Sequence, residues 1–379
     1  MDETILYILF RILQTCYKLL NSFLRLVFNR CFMFGPARTR GGIILKLRII
    51  GRAKSRGATA IQEIACLDNF ILYFDSYVDG FETELNKPEV SLYGFTPEFA
   101  YFSVVSPGQS VWDIGVFSSP EQFNKAQYLI LVPVKELKRI LASANSTKSK
   151  NIFFLHHTNR CGSTLVAAMF KRLPSTRVIC EPESFYSAYY LYHVNKTVTQ
   201  EQYKEMVEAA VMIHCLTLHK TIFLKMVSGA CTSQMNMLHD LFPQSKIAFL
   251  SRNSTDVVNS MMRIVNSGHP FVGRLLDWSR EDFIRSGLWA TERNKFPREC
   301  RGVLLHNWNT CMAALEAAEM PVKALTYETL VAQPKQTVKD IMTFFDIPCE
   351  YAATMLAAMD RDSQEGTRIA RHILKPKSS

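Results

Sequence analysis

A chain of 379 residues, 48% of them hydrophobic, can bury a large core and has room for more than one folding unit. Its formal charge of +10 is unevenly spread: residues 1–60 hold eleven Lys and Arg against Asp2 and Glu3, and the remainder is close to neutral. A nucleic-acid enzyme more often carries its basic surface around the active site, so no nucleic-acid partner is expected. The ten Cys form neither a CxxC pair nor a Cys/His cluster with metal-ligand spacing, which argues against a metal site and for buried thiols in a reducing compartment.

Residues 4–34 lack the charge-free run of roughly 20 residues that a spanning helix needs. Arg11, Gln14, Thr15, Lys18, Asn21, Ser22, Arg25 and Asn29 instead draw one polar stripe along an apolar helix. Such a helix, taken as 1–34, suits the membrane interface, and the basic run from Arg38 to Arg56 extends the attraction of residues 1–56 to an anionic surface. A helix packed on the protein's own core is the competing reading. If the segment inserted, the positive-inside rule would keep the body of the chain in the cytosol.

Residues 35–142 read as a small α/β or β-rich module of unknown role. Strand-like clusters of aromatic and branched residues lie at 69–77 and 91–105, with a strand and then a helix over 125–142. The polar stretch 143–150 is the expected linker. Over 151–379 strands and helices alternate: strands at Asn151–His157, 177–180, 222–226, 246–250 and 322–327, helices at 164–172, 201–218, 231–242, 255–265, 303–318 and 335–345. That rhythm predicts a P-loop-like α/β fold, a central parallel sheet with helices on both faces.

The first strand of this domain runs into Arg160-Cys161-Gly162-Ser163-Thr164 and then an apolar helix. Backbone N–H groups at a helix start, the helix dipole and two hydroxyls converge there, as a loop holding a phosphate requires. An ATP- or GTP-hydrolysing loop needs GxxxxGK[ST]; here Ser163 follows Gly162 and no Gly opens the loop. A phosphatase-like CxxxxxR reading of Cys161 fails because position 167 is Ala. A second anion site follows 246–250, where Arg252 stands at a strand end, Ser254 or Thr255 is placed to cap the next helix, and Ser260 falls inside it. An Arg and a Ser so placed can grip one phosphate from two sides, although a surface ion pair and a helix contact would explain them equally well.

Taken together, RCGST after the first strand, Arg252 and Ser260 after a later one, and TYETLVAQPKQTVKDIMTFFDIP near the end resemble the sulfotransferase family over about residues 151–350. The likeness is to its Golgi carbohydrate and tyrosylprotein branches and their bacterial relatives. The resemblance implies 3′-phosphoadenosine 5′-phosphosulfate (PAPS) as co-substrate without a metal. Arg160, Cys161, Gly162, Ser163 and Thr164 would hold its 5′-phosphosulfate, and Arg252 and Ser260 its 3′-phosphate. Cys161 departs from the family's usual Ser.

The resemblance further implies in-line transfer of a sulfonyl group to a hydroxyl or amine of a carbohydrate, lipid or small-molecule acceptor. Arg160 would neutralise the leaving phosphate, Glu181 would be the general base, and Lys225 would be a second cation over the sulfonate. Helix capping or Arg pairing is the competing role for Glu181, and a surface strand-end lysine for Lys225. Glu183 is the neighbour able to replace Glu181. A carboxylate beside several cations should titrate low. Arg368, in a turn-like tail, is a further candidate for the 3′-phosphate. His156 and His157 read as satisfied core or edge histidines.

A sulfotransferase-like protein that binds nucleotide or a partner without catalysis is the other function considered. Acceptor contacts are expected from loops around 184–200 and 266–300, where Tyr186, Tyr189, Tyr190, Trp278 and Trp289 lie. Sequons at Asn145 and Asn195 would permit glycosylation in the Golgi lumen. A third, at Asn253, lies in the expected phosphate site, which favours a cytosolic catalytic domain over the lumenal alternative.

Overall fold

The computed structural model describes residues 9–17, 19–20, 43–52, 67–114, 118–143, 150–227, 230–267, 296–360 and 363. Two five-stranded sheets form its frame. The first is antiparallel and built from β1 (Leu45–Arg52), β2 (Phe70–Tyr77), β3 (Val90–Phe95), β4 (Phe99–Val104) and β5 (Tyr128–Pro133) in the order β2-β1-β5-β4-β3. Period-two alternation sends Tyr93, Tyr101 and Leu129 to one face and Leu92, Phe102 and Ile130 to the other. The expected strand and helix over 125–142 are β5 and helix Val134–Ser143. Of the expected linker, 144–149 lie outside the described residues.

The second sheet is parallel and contains β6 (Asn151–His157), β7 (Thr176–Cys180), β8 (Thr221–Lys225), β9 (Lys246–Ser251) and β10 (Val322–Thr326). Its order is β10-β9-β6-β8-β7. Buried on both faces, β6 is a nearly continuous apolar run: Ile152 and Phe154 enter one core, Phe153 and Leu155 the other. The second core is covered by helices Ser163–Lys171 and Pro334–Phe345, through Phe170 and Phe345. The first is shared with the antiparallel sheet, since Phe102 and Ile130 belong to the same cluster as Phe154 and Ile222. The expected parallel sheet flanked by helices, preceded by a β-rich module, is the architecture found.

Local differences have local causes. The expected helix over 201–218 is Gln200–Cys215, opened by a capping box between Thr199 and Gln202 and followed by the turn at Leu216. The region 184–200, expected as loop, begins with helix Glu183–Tyr189 and a π-turn, Tyr190–Val194. Phe185, Tyr186 and Ala188 are buried there, and Ser187 Oγ accepts from the Phe95 amide of the neighbouring sheet at 3.0 Å.

At the N-terminus residues 9–17 and 19–20 are helical. Polar groups tie this helix to β2: Gln14 Nε2 donates to the Phe70 carbonyl at 3.0 Å and Tyr17 to that of Leu72 at 3.1 Å. Leu9, Ile12, Leu13, Leu19 and Leu20 are exposed. Among the described residues no helix is long and apolar enough to cross a membrane.

Candidate active site

Each of the five parallel strands brings a polar residue to its C-terminal end. β6 ends in His157 and the loop to Gly162, β7 leads to Glu181, β8 ends in Lys225, β9 leads to Arg252 and β10 to Tyr327. The chain leaves β6 first toward β7 and β8 and later toward β9 and β10, so these ends surround the sheet's switch point, where open α/β sheets bind ligands.

The loop after β6 departs from the strand once the Thr158 amide has bonded to the Leu250 carbonyl at 3.1 Å. Arg160 then adopts φ 56° and Gly162 φ 87°, both left-handed. Only Gly fits the second position: a Cβ built there would stand 2.7 Å from Cδ2 of Tyr327. Helix Ser163–Lys171 starts directly after it without a side-chain cap, so the positive end of its dipole faces the loop. Cys161 is fully buried. Burial pushes its thiol up to about 11, against the pull of hydrogen bonds from Ser163 and Thr158, which disfavours the thiolate form.

Beside this loop lies a buried cation. Lys225, 1% exposed, stands in register with Leu155 and Cys180, on the side of the sheet that carries helix Ser163–Lys171. Its Nζ donates to the Thr164 hydroxyl at 3.3 Å and pairs closely with Glu181 Oε1. The surface-lysine reading is thereby excluded. Glu181 continues β7 by one backbone bond, its amide donating to the Lys225 carbonyl at 2.7 Å, and then turns through φ 52°. A left-handed non-glycine residue here stores strain of about 1–3 kcal/mol, which the surrounding contacts must hold. Burial pushes the Glu181 carboxyl up, but Lys225 first, then His157 and Arg160, outweigh it and leave it below the usual carboxylate range.

His157 completes the group, with Nε2 3.9 Å from Glu181 Oε1. Its two ring nitrogens lie 2.9 Å from the carbonyls of Thr158 and Met226. Burial and then Lys225 lower it to about 4, so the ring is neutral and donates to only one of them. The sequence reading of His157 as a satisfied histidine overlooked this neighbourhood. That of His156 as satisfied is corrected: both its ring nitrogens are buried without a hydrogen-bond partner among the described residues.

Arg252 and Ser260 meet through Arg160. Arg160 Nε donates to Ser260 Oγ at 3.1 Å, and Arg252 donates to the Arg160 carbonyl at 3.3 Å. The Arg252 guanidinium lies 4.4 Å from the Tyr327 ring centre and 3.3 Å from Asp256, while its own carbonyl accepts from Trp308 Nε1 at 2.9 Å. Its Nε is buried with no partner among the described residues. The expected cap by Ser254 or Thr255 is corrected: the Asn253 side chain accepts from the Thr255 amide at 3.0 Å and caps helix Ser254–Ser267. Glu328 fixes the Asn253 amide at 2.9 Å.

The structure therefore gathers Arg160, Cys161, Gly162, Ser163, Thr164, Glu181, Lys225, Arg252 and Ser260 at the C-terminal ends of the parallel strands. Glu183, the expected substitute base, is buried in the first turn of its helix. Tyr186 is a packing residue, 4% exposed. Arg368, Trp278 and Trp289 lie outside the described residues. No cluster of His, Cys, Asp and Glu able to hold a metal occurs among the described residues. Tyr327 and Trp308, which fix the loop and Arg252, were not singled out in the sequence. The TYETL segment was quoted, but its contact with Gly162 is set by the tertiary fold.

Residues 153–351, more than half of the chain, match the profile described as the sulfotransferase family. The chain belongs to the sulfotransferase family. Membership makes it, by class, a PAPS-dependent sulfotransferase. Solved structures to which it is similar include the sulfotransferase domain from the curacin biosynthetic pathway, at 15% identity and TM-score 0.36 over 58% of this chain and 79% of that one. The sulfotransferase STF9 from Mycobacterium avium is similar at 11% identity and TM-score 0.37, over 60% and 72% respectively. Retinol dehydratase in a complex with retinol and PAP is similar at 12% identity and TM-score 0.31, over 76% and 80%. At these scores the family assignment rests on the sequence profile. No curated protein sequence matches the chain.

Proposed function

We propose that this protein moves a sulfonyl group from PAPS to a hydroxyl or amine of a carbohydrate, lipid or small-molecule acceptor, with Glu181 as general base. The carrying observation is the buried Lys225 ammonium, shared between the Thr164 hydroxyl of the loop and the Glu181 carboxylate. The residues present fit a donor with two separated anionic groups. Arg252 holds an unpartnered buried donor and, like Ser260, bonds to Arg160, and Gly162 leaves Tyr327 just enough room to close on the loop. Arg160, Cys161, Gly162, Ser163 and Thr164 would hold the 5′-phosphosulfate, Arg252 and Ser260 the 3′-phosphate.

PAPS, when bound, supplies the sulfonyl group and a bisphosphate leaving group. Arg160 and the start of helix Ser163–Lys171 stabilise negative charge developing on the leaving side. Lys225 has two tasks in conflict. Without an anion in the loop it holds Glu181 ionised and weakly basic. An anion at the loop competes for the same ammonium, loosens its grip on Glu181 and raises the basicity of the carboxylate. The base is thereby strengthened when donor is present, and the acceptor proton passes to the Glu181 carboxylate.

The donor site is tested by thermal unfolding of the full chain with adenosine 3′,5′-bisphosphate. At about a hundred times its dissociation constant the ligand should stabilise the protein by about 2.7 kcal/mol, ATP should not reproduce the effect, and Arg252→Ala should abolish it. Absence of a shift with wild-type protein would remove the donor site and favour a non-catalytic sulfotransferase-like protein.

The same proposal places the protein on an anionic membrane surface with its catalytic domain on the cytosolic side. The helical residues 9–17 and 19–20 turn Gln14 inward and leave five large apolar side chains exposed, in a segment with excess basic charge. Asn253 caps the helix that carries Ser260 and directly follows Arg252, so a glycan there would crowd the proposed 3′-phosphate site. Full-length protein should float with phosphatidylserine vesicles and not with neutral ones, and Leu13→Glu with Leu20→Glu should leave it in the soluble fraction. Equal flotation of that variant would sink the membrane reading.

A further inference from the structure

Strands β9 and β10 stay in register up to Ser251 and Thr326, and the ladder between them stops there. The two chains then continue differently. After β10, helix Tyr327–Ala332 begins at once, whereas β9 passes through Arg252 and Asn253 before helix Ser254–Ser267 begins. The peptide group joining Arg252 to Asn253 therefore lies past the ladder and ahead of the helix, and its carbonyl and amide need partners from elsewhere.

Two side chains from distant parts of the sequence supply them. Trp308 Nε1, on helix Phe296–Glu316, donates to the Arg252 carbonyl at 2.9 Å, and Glu328 Oε1 accepts from the Asn253 amide at 2.9 Å. One planar peptide unit is thus gripped at both polar ends, so turning it breaks one bond or the other. The helix that carries Trp308 is itself braced on helix Ser254–Ser267. Leu304 packs on Val258 and Met262, and Arg301 donates to Asn259 Oδ1 at 3.1 Å.

The grip matters because of what Arg252 carries. Its guanidinium meets the Tyr327 ring at 4.4 Å, the Arg160 carbonyl at 3.3 Å and Asp256 at 3.3 Å, while its buried Nε keeps an unpartnered N–H. A guanidinium on a long side chain is aimed at a fixed anion only when its own backbone is fixed as well. Tyr327 and Glu328 are consecutive, so the first turn of one helix steadies both the guanidinium and the backbone of Arg252. Ser260, the other residue proposed for the 3′-phosphate, rides on the helix that starts directly after Asn253.

We propose that Trp308 and Glu328 are positioning residues for the 3′-phosphate of the donor, acting through Arg252. This rests on the reading of Arg252 as a 3′-phosphate ligand.

Calorimetry of the full chain with adenosine 3′,5′-bisphosphate, and with adenosine 5′-phosphate by displacement of the bisphosphate, gives two affinities whose ratio reports the 3′-phosphate alone. In the wild type the bisphosphate should bind at least about tenfold more tightly. Trp308→Phe, which keeps a ring and removes the donor, and Glu328→Ala should each lower that ratio by about three- to tenfold, with affinity for adenosine 5′-phosphate unchanged. Glu328→Gln keeps an acceptor and should retain the wild-type ratio. Equal loss of both affinities would reduce the two side chains to general supports of the fold, and a ratio unaltered in both variants would show that Arg252 is aimed without them; either result overturns the proposal. If Trp308→Phe fails to fold, Glu328→Ala, at an exposed position, carries the test. A wild-type ratio near one, by contrast, would separate Arg252 from the 3′-phosphate and take the proposal down with the donor reading.

Discussion

Glu181→Gln should lower turnover by about 10²- to 10⁴-fold, the range supplied by a positioned general base, while affinity for adenosine 3′,5′-bisphosphate is kept. Gln preserves the volume and removes the charge. Lys225 then loses its main anionic partner and turns more of its field toward the loop, so donor binding should hold or strengthen. A merely structural Glu181 would give a different pattern, with stability and donor affinity falling together. The pH profile separates the roles further. A base must be deprotonated, so kcat/KM rises with pH through its pKa. In the wild type that acid limb lies below the usual carboxylate range because Lys225, His157 and Arg160 outweigh burial. Lys225→Met removes the largest of these downward influences, burial then dominates, and the limb should move to higher pH. Lys225→Met also loses the cation over the sulfonate, so its maximal rate falls independently of the limb. A Glu181→Gln enzyme at wild-type turnover, or an acid limb unmoved in Lys225→Met, would end the assignment of Glu181 as base.

What the sequence revealed and concealed divides by range. The passage from β6 through Gly162 to helix Ser163–Lys171 is local, and an apolar run, a Gly and two hydroxyls suffice to mark it. The other strand ends were legible because each apolar strand stops at a charged or polar residue. That Lys225 is buried was not legible, because burial depends on which strands flank β8 and on Thr164 lying above it. His157 is the buried, hydrogen-bonded histidine expected; that it also neighbours Glu181 was not legible for the same reason, because Glu181 follows a strand two places away in the sheet. Helix Glu183–Tyr189 escaped notice because it is buried almost all round, and a helix without a polar face has no amphipathic period. The cap at Asn253 was a choice among three adjacent capping residues, which only backbone geometry decides. The N-terminal helix was legible as amphipathic, but not that Gln14 is used inward against β2.

Gly162→Ala is the second substitution expected to act strongly, and it probes the fold of the site without reference to the reaction. Two penalties coincide at this position. The backbone sits at φ 87°, where an L side chain costs about 1–2 kcal/mol. A new Cβ would also stand 2.7 Å from Tyr327 Cδ2, closer than such atoms approach, so the ring or the loop must shift. Tyr327 cannot yield freely, because its ring lies against Arg252, whose guanidinium donates to the Arg160 carbonyl in the same loop. Displacement of the ring therefore reaches the residues proposed for both anionic ends of the donor. Gly162→Ala should abolish detectable stabilisation by adenosine 3′,5′-bisphosphate and lower the unfolding free energy of the free protein by about 1–3 kcal/mol. Tyr327→Ala in the same background should relieve the collision and leave the backbone cost, and the double-mutant cycle should show a coupling of about 0.5–3 kcal/mol. Full recovery of bisphosphate binding in the double variant would make the collision the whole effect. A Gly162→Ala protein with wild-type stability and wild-type bisphosphate binding would show that Tyr327 does not close on this loop.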